Sequence, residues 1–290
     1  MKNEELIDVP IDLQTLKTGR ECTALENTIF EILSRLVQPE DTWQPDDASR
    51  EINAIFPVSP VDEKQNIEND HASRNAEEFL WCFWTSSITV IGQVPYRHAA
   101  QTRVVNFIES LTKLPNKYIQ LSMGECTVWA DLPILGPCMR DNLDYGGENN
   151  TEKISRHINL SSFQARLLKT GLTGWINFAI WSLRDAFEEP QHYQETLEYY
   201  LISAGEWIFH AGEVLVAKIS DEEPDEQWSR VTRGGTLYNG KVGLCLERWV
   251  FWRSRALEIS EQVSESTRDV ALDIAKTMYE LEHKVPGLRR

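Results

Sequence analysis

The stretch Lys241–Ser260, KVGLCLERWVFWRSRALEIS, constrains the fold more than any other part of the chain. At helical spacing Val242, Leu246, Trp249, Trp252, Arg253 and Ala256 share one face, and Leu244, Arg248, Phe251 and Arg255 share another. A helix that is apolar on most sides is buried on most sides, so the spacing predicts a central helix here. Arginines carried into such a helix need a carboxylate, a carbonyl or a ligand, because an unpaired buried charge is costly.

The same periodicity recurs along the chain. Leu25, Ile29, Phe30, Ile32, Leu33 and Leu36 predict a helix that starts at Thr23 or Arg20 and ends before Pro39. Residues 1–18 read as an extended lead-in. Residues 39–72 read as a long polar loop, within which EINAIFPV docks as a short helix or strand. Ser73 is placed to cap a helix carrying Phe79 to Ile91, and a second helix follows Pro95, making a helical hairpin. Further helices are expected from about Leu132, from Ser161 or Ser162 to Gly171, from Trp175 to Phe187, and over Tyr193–Ile219 as one helix or two. Residues 220–240 read as a charged loop, and Ser266 as the cap of the last helix. No alternating strand run stands out and no repeat of fixed period is visible. The expected fold is all-α over 1–290 as a single domain, with packed antiparallel hairpins in an irregular bundle or a solenoid-like stack.

Charge limits the partners. The net charge of −16 repels nucleic-acid phosphate and anionic membrane surfaces. No apolar run reaches the roughly 20 residues that span a bilayer, and the acidic opening MKNEELIDVPIDLQ lacks the apolar core of a signal peptide. Five scattered cysteines without a CxxC pair fit reduced thiols and a cytoplasmic protein. The oligomeric state is left open.

The motifs that carry chemistry are weak. Asn69 to Glu77 fits the NDxxSxxxE magnesium motif of class I terpene cyclases, with Asp46–Asp47 as a poor match to their aspartate-rich partner; a helix N-terminus capped by Ser73 explains the same letters. ExxH at Glu68–His71 and Glu280–His283 lies at polar chain edges, unlike the inward-facing pairs of a dinuclear centre. Glu206, His210 and Glu213 share a helix face and could hold a metal or relay a proton; a salt-bridged histidine is the plainer reading. GxSxG is missing, so no serine nucleophile is indicated, and GxGxxG and P-loop patterns are missing, so no nucleotide cofactor is expected; on the plainer readings of the three motifs above, no metal is expected either. The remaining set is aromatic: Trp81, Trp84, Trp175, Trp181, Trp249 and Trp252 with Arg248 and Arg253. As a site, the indoles would wall an apolar pocket and an arginine would hold a carbonyl in it. As structure, the indoles pack between helices and the arginines pair with Glu247 or Asp185.

Leu132–Asp144 (LPILGPCMRDNLD), His157–Leu172 (HINLSSFQARLLKTGL) and Gly234–Ser260 (GGTLYNGKVGLCLERWVFWRSRALEIS) together resemble a fungal family of uncharacterised, mostly helical proteins, a domain of unknown function. The family tends to read LPxLGPxxRExWN, WxNLNAFxARL and GKxGFSLERWxFWKxRF at these places. Here Asn142-Leu143-Asp144 replaces the tryptophan-bearing end of the first motif, and His157 and Ser161-Ser162 depart from the second, as in a divergent member. The resemblance spans roughly residues 75–285. It implies an all-helical, fungal, cytosolic protein and no settled catalytic residues.

Three functions follow as expectations. The first is a cofactor-independent, pericyclase-like cyclase of fungal secondary metabolism. It would fold an apolar terpenoid or polyene for cyclisation, for instance by an intramolecular Diels–Alder reaction, with Arg253 and Arg248 as catalytic donors and the six tryptophans binding the substrate. The second is a non-catalytic helical interaction or scaffold protein. The third is a magnesium-dependent terpene cyclase.

Overall fold

The computed structural model describes residues 6–16, 22–39, 43–57, 66–143, 151–191 and 193–285, and of 66–73 only the backbone. Among the described residues there are eleven α-helices and one two-stranded hairpin, so the all-α expectation holds. Among the described residues no helix is long and apolar enough to cross a membrane. The chain divides into two compact units, Glu5–Gly147 and a second from Glu148 onward.

In the N-terminal unit α1 (Ala24–Val37) opens on a reciprocal cap. Thr23 Oγ1 accepts from the Glu26 amide at 3.1 Å and the Glu26 carboxylate accepts from the Thr23 amide at 2.8 Å. Ile29, Leu33 and Leu36 face inward. The expected loop over 39–72 is corrected by α2 (Pro45–Ile55). Pro45 stands at a helix start, where its missing N–H is no loss, and Asp46 and Asp47 occupy the first turn, where the helix dipole favours them. Asp47 accepts from the Gln44 amide at 2.9 Å and so serves the cap, while Asp46 accepts from the distant Ser110 Oγ.

The long α3 (Asn66–Ile91) starts well before Ser73, which is therefore inside a helix and not its cap. The side chains of Glu68, Asp70, His71 and Ser73, invoked by the metal motifs, lie outside the described residues. α4 (Ala100–Thr112) follows as expected. Of the expected extended lead-in, 1–5 and 17–18 lie outside the described residues and Gln14–Leu16 form a short 3-10 helix; Ile7 makes a parallel bridge to His98, and the buried His98 ring accepts from the Ala100 amide through Nδ1 at 3.0 Å. That assigns the ring proton to Nε2, which donates to Val9 O at 2.8 Å.

The hairpin is a second correction. β1 (Tyr118–Leu121) pairs antiparallel with β2 (Gly124–Thr127), Tyr118 opposite Thr127 and Leu121 opposite Gly124. Strands of four residues are too short to show alternation. The Glu77 carboxylate accepts from Ser122 N at 3.0 Å and Oγ at 2.6 Å, fixing the hairpin tip to α3; these bonds hold its carboxyl below the ordinary glutamate range.

α5 (Leu135–Asp141) starts three residues later than expected, after a left-handed turn with φ of 46° at Leu132 and 70° at Ile134. A β-branched residue in that region is strained. Trp84 Nε1 donates to Pro133 O, between the two strained residues, at 2.8 Å. The Phe83 ring lies among Trp84, Phe107 and Trp129 at the centre of this unit's aromatic core.

In the C-terminal unit α6 (Thr151–Lys169) begins earlier than expected, and Ser161 and Ser162 are buried inside it instead of capping it. Gly171, with φ 79°, stops it as expected. α7 (Ile176–Phe187) ends before Pro190. α8 (Gln194–Ala217) is one helix, and Gly205 and Gly212 admit α11 (Glu265–Lys284): a Cβ at Gly212 would stand 2.6 Å from Leu281 Cδ1. A short α9 (Glu226–Val231) breaks the expected 220–240 loop. α10 (Leu246–Ser260) is the predicted central helix, although Lys241–Cys245 precede it as irregular chain. Ser264, not Ser266, is the cap residue of α11. α8 packs on α6, α7 and α11, and α10 packs on α11 and α7.

Candidate functional site

The strongest constellation gathers on Glu188, the last cap residue of α7. Arg248 on α10 meets it in a two-pronged pair, Nε to Oε1 at 2.6 Å and Nη2 to Oε2 at 2.9 Å. The other arginine N–H groups go to backbone carbonyls: Nη1 to Thr232 at 2.6 Å and Gly243 at 3.1 Å, Nη2 to Arg233 at 3.1 Å. All five guanidinium donors are therefore used. Trp252 Nε1 also donates to Glu188 Oε1 at 2.6 Å, and the Gly235 amide to Oε2 at 2.7 Å. Both charged side chains are fully buried.

Local sequence builds this knot. Pro190 ends α7 so that Glu188 sits at a helix end beside a turn, and its own carbonyl accepts from the Leu237 amide at 2.7 Å. Gly235 has to be glycine, since a Cβ there would stand 2.8 Å from the Glu188 carbonyl oxygen. Tyr238 and Trp252 present their rings to the Arg248 guanidinium at 5.4 and 5.2 Å. Burial pushes the Tyr238 phenol far above its ordinary range.

The other expected site residues lie elsewhere. Trp249 is fully buried and turns toward α11, its Nε1 donating to Met278 O at 3.4 Å. Arg253 pairs with Glu282 at 2.9 Å and lies over the Tyr279 ring. The expected arginine partners, Glu247 and Asp185, are thus replaced by Glu188 and Glu282. Trp175, Phe178 and Trp181 form a row along the start of α7, and Trp181 Nε1 donates to Val231 O at 2.7 Å. Trp84 is buried in the N-terminal unit, and Trp81 in the same unit is exposed. Of the eight residues, Arg248 and Trp252 share the Glu188 carboxylate, which sequence reasoning missed.

Glu206 and His210 join at 3.2 Å, but Glu213 turns to Lys284 at 3.6 Å, so the three do not converge. Among the described residues no group of three or more histidine, cysteine, aspartate or glutamate side chains could hold a metal ion.

A second cluster lies where α6, α7 and α8 meet. The His157 ring stands edge-on to Tyr199 and Tyr200 at 5.7 and 6.0 Å. Asp185 accepts from Arg184 Nε and Nη2 at 3.3 Å. Burial pushes the Asp185 carboxyl up to about 6, the Arg184 charge opposing and Glu189 and Glu188 reinforcing the rise. Below about pH 3 this group is protonated in folded and unfolded chains alike. As pH rises from about 4 to 6, the unfolded chain ionises first and the fold loses stability, on the order of 3 kcal/mol at the limit. Asp185→Asn is expected to raise Tm at pH 7.5 by removing that loss, and to leave Tm unchanged at about pH 3. Thermal melts across this range check it; an equal change at both ends would contradict the burial of a charge-averse carboxyl.

With this geometry in hand, the family described as "Protein of unknown function (DUF3632)" matches residues 84–256, more than half of the chain. The chain belongs to that family. No curated protein and no solved structure gives a significant match. The DUF3632 match begins at Trp84 and ends at Ala256, so Glu188, Gly235, Arg248 and Trp252 all fall within it, whereas Glu282, the partner of Arg253, falls outside.

Proposed function

We propose that this DUF3632 protein is a non-catalytic helical interaction protein whose acidic surface engages a basic partner protein. The observation that supports it most is the use of Arg248: every donor of the guanidinium is spent inside the fold, and Trp252 is spent on the same carboxylate. Arg253, the other expected donor, is held by Glu282. The tryptophan–arginine set then acts as framework, and the solvent-facing property left to carry function is charge. The net charge is −16, and Asp221, Glu222, Glu223, Asp225 and Glu226 form an exposed acidic run around the start of α9. A field of that sign draws basic surfaces and weakens as salt is added.

Proximity labelling in cells tests this with wild type and an Asp221→Asn, Glu222→Gln, Glu223→Gln variant. Basic partners are expected to be recovered by wild type, to fall away in the variant, and to dissociate from the purified wild type at high salt. A partner set identical for both proteins and insensitive to salt overturns the reading.

One observation favours the cofactor-free cyclase as a second reading. The buried donor groups of Gln164, Ser182 and Trp207, on α6, α7 and α8, bond to nothing within the fold and could face a guest. Under that reading the polarising donors are sought among these groups, because Arg248 and Arg253 would first have to leave their carboxylates.

A further inference from the structure

Glu206 Oε2 on α8 lies 3.2 Å from His210 Nε2, and the donors without such a neighbour are three: Gln164 through Nε2 on α6, Ser182 through Oγ on α7 and Trp207 through Nε1 on α8. Their residues are 1, 8 and 0 % exposed. Each offers an N–H or O–H that water does not reach and no protein atom accepts. Buried donors are nearly always paired, so three on adjoining helices ask for a common acceptor.

Helix periodicity places them on neighbouring stretches of the three packed helices. α6 and α8 run side by side in the same sense: His157 meets Tyr199 and Tyr200, and further along Glu206 acts on Arg166. Seven residues make two turns with a drift of about 20°. Gln164 therefore stands to His157 as Trp207 stands to Tyr200. α7 joins α8 through a short connection and packs against it, and Ser182 lies one turn from Asp185, whose charge reaches Tyr200. Side chains lean toward the N-terminus of their own helix. Gln164 and Trp207 thus lean back along α6 and α8, while Ser182 on the opposed α7 leans to meet them.

We propose that the α6–α7–α8 junction binds a small, largely apolar ketone or ester through its carbonyl oxygen, with Gln164, Ser182 and Trp207 as the donors. An amide, a hydroxyl and an indole are all neutral, which suits a neutral acceptor; a carboxylate would bring a charge that none of them balances. Arg166, two residues on from Gln164 and so turned to another face of α6, already bonds Ser162 at 3.2 Å and faces Glu206. The surrounding helices bury Leu160, Leu183 and Ala204, which suits an apolar body behind the carbonyl. The site is separate from the acidic surface, and the outcome of one experiment leaves the other open.

The test uses the full chain with 15N-labelled indoles, titrated with acetophenone carrying a 13C carbonyl, and with ethylbenzene as the same shape without the oxygen. The Trp207 indole resonance, assigned by its loss in Trp207→Phe, is expected to move downfield saturably with acetophenone and not with ethylbenzene. The carbonyl carbon shifts with it. Trp207→Phe and Gln164→Met are each expected to weaken the response about tenfold. Without probe, Gln164→Met and Ser182→Ala are expected to keep or raise Tm, because each deletes a donor that the fold leaves unpaired. No saturable shift, an equal response to ethylbenzene, or a fall in Tm in both of these variants overturns the proposal. Gln164→Met and Ser182→Ala keep it testable should Trp207→Phe not fold.

Discussion

Glu188→Ala is expected to destabilise the C-terminal unit by about 3–5 kcal/mol, the usual loss when one member of a buried ion pair is removed. The size follows from what loses its partner. The Arg248 guanidinium stays fully buried with two of its five donors unmet, and the Trp252 indole and the Gly235 amide lose their acceptor as well. Glu188→Gln should lose less, because its amide oxygen still accepts while its NH2 group opposes the guanidinium. The double variant Glu188→Leu, Arg248→Met should recover much of the loss, since replacing both charges with apolar groups of similar volume is often near neutral. Its recovery will be partial, because the Thr232, Arg233 and Gly243 carbonyls also lose their donor. Denaturant unfolding followed by tryptophan fluorescence measures all three. A Glu188→Ala midpoint equal to wild type would mean the pair does not hold α7 to α10.

How far the sequence could be read depended on the range of the interaction. The burial of α10 was legible, because Trp249, Trp252 and Ala256 recur on one face and the feature is local. So was the need of its arginines for partners. The identity of the partner was not: Glu188 lies 60 residues before Arg248, and nothing in FEEP distinguishes Glu188 from Glu189 until α7 is packed. Expecting Glu247 or Asp185 favoured acids near in sequence or already on a predicted face. α2 escaped for a different reason, since Pro45 and two aspartates look like a loop and are equally what a helix start selects. Ser161 and Ser162 misled in the opposite direction, because residues suited to caps are buried mid-helix in α6. Of the candidate ligand site, only the apolar character of the three helices could be read. That Gln164, Ser182 and Trp207 lack partners is a fact of packing with no trace in local pattern.

Trp84→Ala is expected to cost the N-terminal unit about 3–5 kcal/mol, as for other fully buried tryptophans. Trp84→Phe separates two contributions to that loss. Phenylalanine keeps much of the contact with Phe83, whose ring centre is 4.5 Å away, but leaves Pro133 O without the indole N–H. A buried acceptor left unpaired costs about 1–3 kcal/mol, which is the expected loss for Trp84→Phe. The effect should also spread. Pro133 sits between Leu132 and Ile134, both held in the left-handed region, and Ile134 O accepts from Cys138 N at 2.9 Å in the first turn of α5. Strain of this kind persists only where the surroundings over-determine it, and the Trp84 bond is the side-chain restraint on that carbonyl. Without it, Leu132–Ile134 can relax toward ordinary backbone angles and the first turn of α5 loosens. Amide hydrogen exchange at Cys138 should therefore be faster in Trp84→Phe by more than global destabilisation explains. If Cys138 exchange rises only in step with amides in the middle of α4, the indole fills space and does not hold the turn.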